Sequence, residues 1–88
     1  MGQQHRGPIR LGLDALRQGQ LHEALTQFER LLAEEPELVG VRYLRGLTLY
    51  RLGRTGDALD AARSCLEIDP AYEPALELVD RCRRSAGS

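Results

Sequence analysis

Residues able to do acid–base, nucleophilic or metal chemistry are few in this chain and poorly spaced for it. His5 and His22 each stand alone. His22, at the start of an apolar-periodic stretch, reads as a solvated surface residue rather than a base or ligand. Cys65 and Cys82 have no further Cys or His at zinc-ligand spacing, and two cysteines do not make a disulfide framework. Glu34, Glu35 and Glu37 cluster around Pro36, where a solvated charge run accounts for them better than a metal site. Arg81, Arg83 and Arg84 suit the negative end of a helix dipole more than a nucleic-acid patch. No Ser/His/Asp or Cys/His set can be assembled, and no glycine-rich phosphate loop follows a strand. The expectation is a protein that is not an enzyme and takes no metal or cofactor. What remains as a candidate for function is an apolar stripe, Tyr43, Leu47 and Tyr50.

The elements that would position that stripe are helical. Of the 88 residues, 42% are hydrophobic and 28% charged, which is ordinary for a soluble folded domain. The aromatics are Phe28, Tyr43, Tyr50 and Tyr72, without a Trp, so the core must be built from Leu and Ala. Those residues favour close-packed helices, whereas strands would want Val, Ile, Thr and aromatics. A net charge of −1 argues against nucleic acid or an anionic membrane as the partner. All twelve basic residues are Arg, the composition expected of a GC-rich genome and read here as bacterial. The start of the chain lacks the apolar stretch of a signal peptide, no apolar run has membrane-spanning length, and two free cysteines suit a reducing cytoplasm.

The chain repeats itself with a period of 34. Gly12 and Gly46, Leu13 and Leu47, Arg17 and Arg51, Gly19 and Gly53, Ala24 and Ala58, Leu25 and Leu59, Leu32 and Leu66, and Pro36 and Pro70 are all so related. Residues 9–36 and 43–70 share 8 identities in 28 pairs, where about two or three would arise by chance. Each unit reads as two helices. The first spans about 8–18 and is broken by Gly19; the second, about 21–34, is stopped by Pro36, because the residue before proline leaves the α region. In unit two a helix at about 38–52 ends at Gly53. Thr55 is the expected N-cap of a helix running to 68, and Pro70 closes the unit. Pro74 opens a last helix to about 84, after which 85–88 should fray.

This arrangement resembles the tetratricopeptide repeat. In unit one the signature places hold Leu11, Gly12, Ala15, Gly19, Ala24, Phe28, Leu31 and Pro36; in unit two they hold Gly46, Leu49, Gly53, Ala58, Ala62, Cys65 and Pro70. The resemblance implies an all-α, right-handed superhelical array of antiparallel helix pairs with about five helices. It would be a single domain over 1–88: repeat one at about 5–38, repeat two at about 39–72 and a capping helix at about 73–84. Small residues at 12, 46, 24 and 58 would let the two helices of a unit approach closely. Phe28 should be buried between helices, and Cys65 should be a buried thiol. The sequence also departs from the pattern. Pro8, Arg42 and Arg45 stand where the family packs bulky apolar residues, so the arginines must snorkel past the core or meet carboxylates.

By the same resemblance, first helices line a concave groove. Its lining here would be Ile9, Leu13, Leu16 and Arg17 from unit one, and Tyr43, Leu47, Tyr50 and Arg51 from unit two. Helix geometry alone puts Tyr43, Leu47 and Tyr50 within an arc of about 60°. Two readings of that stripe stay open: it packs on a neighbouring helix, or it is a groove for an apolar or amphipathic peptide or helix. Some members of the family grip a C-terminal carboxylate through Lys and Asn, neither of which this chain contains. The expected partner is therefore another polypeptide, with Arg17 and Arg51 at the rim for an acidic residue, or else a second copy of the chain dimerising through the groove or the terminal helices.

Overall fold

Glycine and proline punctuate the chain, and helices fill the spans between them. The computed structural model describes residues 6–87, and every regular element among them is a helix: α1 (Arg6–Arg17), α2 (Leu21–Glu34), α3 (Val39–Arg51), α4 (Thr55–Ile68) and α5 (Glu73–Gly87). Successive helices pack on one another in chain order, and α3 also touches α5. The result is an array of helix pairs, 46 × 28 × 18 Å. His5 lies outside the described residues.

The two stops within units have one mechanism. Gly19 and Gly53 have φ of 77° and 83°, a conformation costing an L side chain about 1–2 kcal/mol. In unit one the Gly19 N–H donates to the Leu16 carbonyl at 3.1 Å and the Gln20 N–H to Ala15 at 2.8 Å. In unit two Gly53 donates to Tyr50 at 3.0 Å and Arg54 to Leu49 at 2.9 Å. Both are six-residue Schellman stops, which satisfy the last carbonyls of the helix. This tight stop also corrects the expected N-cap. The chain re-enters helix at once, so Arg54 takes the cap position without a side-chain cap bond and Thr55 is the first helical residue. The end of the helix is stabilised instead by Asp57 in its first turn, whose carboxylate meets the Arg54 guanidinium at 2.7 Å. The stop between units differs: Glu35 and Asp69 are extended at φ −135° and −137°, each directly before its proline. α5 runs past the expected end at 84, through Gly87. No proline or left-handed glycine interrupts it there, and the Tyr50 hydroxyl lies 3.3 Å from Ser85 Oγ.

Two apolar clusters form the core. One joins Ala15, Leu16, Ala24, Phe28, Leu31 and Val41; the other joins Leu25, Leu49, Ala58, Ala61, Ala62, Leu78, Val79 and Cys82. Phe28, Ala24 and Ala58 have no exposed surface, as the repeat register requires. A Cβ on Gly12 would stand 2.5 Å from Phe28 Cε1, and one on Gly46 would stand 3.1 Å from Leu78 Cδ2 and 3.2 Å from Ala61 Cβ. The arginines between units are settled in two ways. Arg45 meets a carboxylate, Glu29, at 3.0 Å. Arg42 instead donates to backbone carbonyls, Pro36 at 2.6 Å and Ser64 at 3.3 Å.

Both cysteines are free and fully buried. The Cys65 thiol donates to the Val39 carbonyl at 3.6 Å. Burial pushes its pKa up from 9.0 to about 11, although the nearby Arg42 charge pulls the other way. Burial also raises Cys82.

Substitutions test this packing. Gly12→Ala gains up to about 1 kcal/mol of helix propensity but must displace a buried ring, an overpacking cost of about 1–3 kcal/mol. Gly56, in α4 with nothing within 4 Å of an added Cβ, is the control. Urea denaturation should show Gly12→Ala destabilised and Gly56→Ala neutral or stabilised; equal midpoints would refute the close approach. Phe28→Ala should cost about 3–5 kcal/mol.

Stability should also depend on pH. Because the folded thiol at Cys65 ionises later than the unfolded one, its stabilising effect is full below pH 9 and falls away between 9 and about 11. The loss over that window is about 2–3 kcal/mol. Denaturation midpoints across the window should fall less in Cys65→Ala than in the parent chain, and parallel curves would count against it.

Candidate functional site

The residues expected to line a groove fall into three states. Arg17 and Arg51 are exposed, and Arg17 Nη2 meets Asp14 at 3.3 Å one turn earlier. That exposed pair contributes little stability, which leaves the guanidinium free to change partner. Ile9 and Leu13 of α1, and Tyr43, Leu47 and Tyr50 of α3, are half-buried. Leu16 corrects the expected lining: only 7% exposed, it sits inside the first core cluster beside Ala15 and Phe28. Its position just before the Gly19 stop brings it under the start of α2, where Gly19 donates to its carbonyl.

The half-buried set is divided between the two clusters. Ile9, Leu13 and Leu47 pack on the edge of the unit-one cluster, whereas Tyr43 and Tyr50 pack on the cluster that includes α5. The Tyr43 ring meets Tyr72 edge-on, with centroids 6.2 Å apart and planes at 68°. Such a pair contributes about 0.5–1.5 kcal/mol beyond area burial and fixes both rings. Tyr72, just before α5, has its hydroxyl pKa raised, first by burial and then by Cys65, Tyr43 and Asp69. The stripe on α3 thus packs on its neighbours along one edge and meets solvent along the other.

α5 adds residues that the reading of the sequence left out. Glu77 and Arg81 line, with Tyr43, Leu47, Pro74 and Leu78, a small cavity of about 40 Å³ between α3 and α5. It has room for water or a methyl group but not an aromatic anchor. Their signal was available: Glu77 and Arg81 lie 34 residues beyond Tyr43 and Leu47, which in turn lie 34 beyond Ile9 and Leu13. The face therefore steps from aliphatic on α1, through aromatic on α3, to a charged pair on α5.

Among the described residues no group of three or more His, Cys, Asp or Glu could hold a metal ion. His22, Glu34 and Glu37 are exposed, Glu35 is half-buried, and Arg84 pairs with Asp80 at 2.9 Å along α5. Among the described residues no helix is long and apolar enough to cross a membrane.

Comparison with known proteins agrees with this architecture. Residues 9–73 match the tetratricopeptide repeat family. The chain is 32% identical over 71 residues to the phagocyte signaling-impaired protein of Drosophila pseudoobscura pseudoobscura, covering 81% of this chain and 7% of that protein. It is 33% identical over 66 residues to the inactive TPR repeat-containing thioredoxin TTL3 of Arabidopsis thaliana, covering 75% of this chain and 10% of that protein. It thus spans about a tenth or less of the length of these relatives. The 34-residue period, the helix pairs built on it and the match over residues 9–73 place the chain in one family: it belongs to the tetratricopeptide repeats.

Proposed function

We propose that this chain is a polypeptide-binding module whose partner lies across the face formed by α1, α3 and α5. Tetratricopeptide repeats are non-catalytic modules that generally mediate protein–protein interactions. One observation carries the choice of face. Ile9, Leu13, Tyr43, Leu47 and Tyr50 are neither core nor free. Each is held by packing on one side and open on the other, so a ligand can bury them without paying much side-chain entropy. Tyr in particular makes a strong anchor of this kind.

The steps across the face describe the partner. An amphipathic peptide or helix would lay its apolar side on Ile9, Leu13 and Leu47, with acidic residues reaching Arg17 and Arg51 at the rim. A second reading has its own observation. Leu11 on α1 and Leu76 on α5, 55% and 43% exposed, are the large exposed hydrophobics among the described residues, and they lie on the first and last helices. Stacking of one copy on another through those helices would cover them.

Affinity capture from a native lysate followed by titration of the captured partner tests the first reading. Arg17→Glu with Arg51→Glu should weaken binding at least about tenfold with unchanged circular dichroism, since both side chains are exposed. Leu47→Ser with Tyr50→Ser should weaken it similarly, at a stability cost of about 1–3 kcal/mol for half-buried sites. Undiminished association by both folded variants would show that the partner uses another face. Light scattering over a dilution series addresses the second reading, which a concentration-independent monomer would remove.

A further inference from the structure

On the other side of α3 the two units leave a gap. Arg42 and Arg45 lie about 110° and about 165° around the helix from the middle of the Tyr43, Leu47 and Tyr50 stripe, and with α2 and α4 they line a cavity of about 350 Å³. Leu32 and Ala33 of α2 and Ala61 of α4 supply apolar walls, and Glu29 supplies one carboxylate. The same place in the period holds Leu11, which is exposed, and Val79, which is buried in the core cluster beside Ala61 and Ala62. Arg45 is half-buried and turns to Glu29.

The guanidiniums are placed but not saturated. Arg42 Nε donates to the Pro36 carbonyl and Nη1 to the Ser64 carbonyl, so both ends of the fork are fixed. Arg45 Nε donates to Glu29. An arginine has five N–H donors, so these bonds leave donors on both residues for another acceptor. Two cations against one carboxylate leave the lining at a formal charge of +1, in a chain whose total is −1. A fixed guanidinium is well suited to a carboxylate, because little order is lost when the bond forms. The volume lies at the small end of ligand pockets, enough for one or two side chains but not a helix.

We propose that this cavity is a second docking site, which takes the carboxylate of a Glu or Asp side chain on a protein partner and seats its apolar neighbours on Leu32, Ala33 and Ala61. Charge complementarity selects the carboxylate, and the apolar walls select a side chain within a peptide over a free small acid. The site is independent of the face across α1, α3 and α5.

The test uses the full chain and three probes: the blocked peptide acetyl-Ala-Leu-Glu-Leu-Ala-amide, the same peptide with Gln for Glu, and propionate. NMR follows the side-chain Nε–Hε signals of Arg42 and Arg45. The Glu peptide should shift both signals and saturate below about 10 mM, with the Gln peptide and propionate at least about tenfold weaker. Arg45→Gln should weaken the Glu peptide at least about fivefold. Glu29→Gln should strengthen it, because the internal carboxylate no longer competes for Arg45; this partly exposed pair contributes little to folding, so the variant stays folded. Equal binding of the Gln peptide, propionate as tight as the Glu peptide, no shift up to about 10 mM, or a Glu29→Gln variant that binds no better would each overturn the proposal.

Discussion

The two helices of each unit meet where the first of them has no side chain, and the array depends on how closely that lets them approach. At Gly12 the ring of Phe28 occupies the volume a Cβ would need; at Gly46 Ala61 and Leu78 press on the same bare backbone. Because each helix pair closes on a small residue, the larger residues beside it are turned toward the next helix. Leu31 and Val41 therefore meet across the boundary between units in one cluster, and Leu25 of α2 reaches the cluster of unit two. A face along α1, α3 and α5 follows from the same geometry. Those helices are the first members of successive pairs, and their outward edges carry whatever the core does not use.

The units fill their cores differently while keeping one backbone scheme. Unit one sets Phe28 among small Ala15 and Ala24; unit two sets Leu49 among Ala58 and Ala62. Position 28 gives up bulk to become Ala62, and position 15 gains it to become Leu49. Volume has moved from the second helix to the first, the kind of exchange a close-packed interior tolerates because the total is kept. It also explains why positions 15 and 28 differ between the units while small Ala24 and Ala58 and the punctuating Gly and Pro persist.

Those punctuating residues made the fold legible in the sequence. A left-handed turn at Gly19 and Gly53 and an extended residue before Pro36 and Pro70 are backbone demands that few other residues meet, so they set helix ends almost to the residue. Helix 21–34 is legible at both ends for that reason, and helix 55–68 at its C-terminal end, although its N-cap is Arg54 rather than Thr55. Where an end depends on tertiary contact, the reading was short: α5 continues past 84, with Ser85 beside Tyr50. The face was legible in type but not in depth. A helical projection gives direction around an axis, not how far a neighbour overlaps it, so Leu16 could be placed beside Leu13 without revealing that one is core and the other edge.

The contact between units illustrates how polar and apolar terms divide the labour. Arg45 and Glu29 form a partly exposed pair, worth at most about 1 kcal/mol. Burying a Leu-sized side chain there would contribute about 1.5–3 kcal/mol. Arg42 recovers part of the difference by satisfying the Pro36 and Ser64 carbonyls, tying the turn after α2 to α4. Most of the adhesion must then come from the apolar side, where Phe28, Leu31 and Val41 pack together and Leu25 joins the unit-two cluster. Since the two helix-pair units are held by that side, the cavity lined by Arg42 and Arg45 can be filled or emptied at small cost to the whole. A joint built as an ordinary core would forbid that, and here it leaves the back of the array able to differ in charge and shape while the face across α1, α3 and α5 stays fixed.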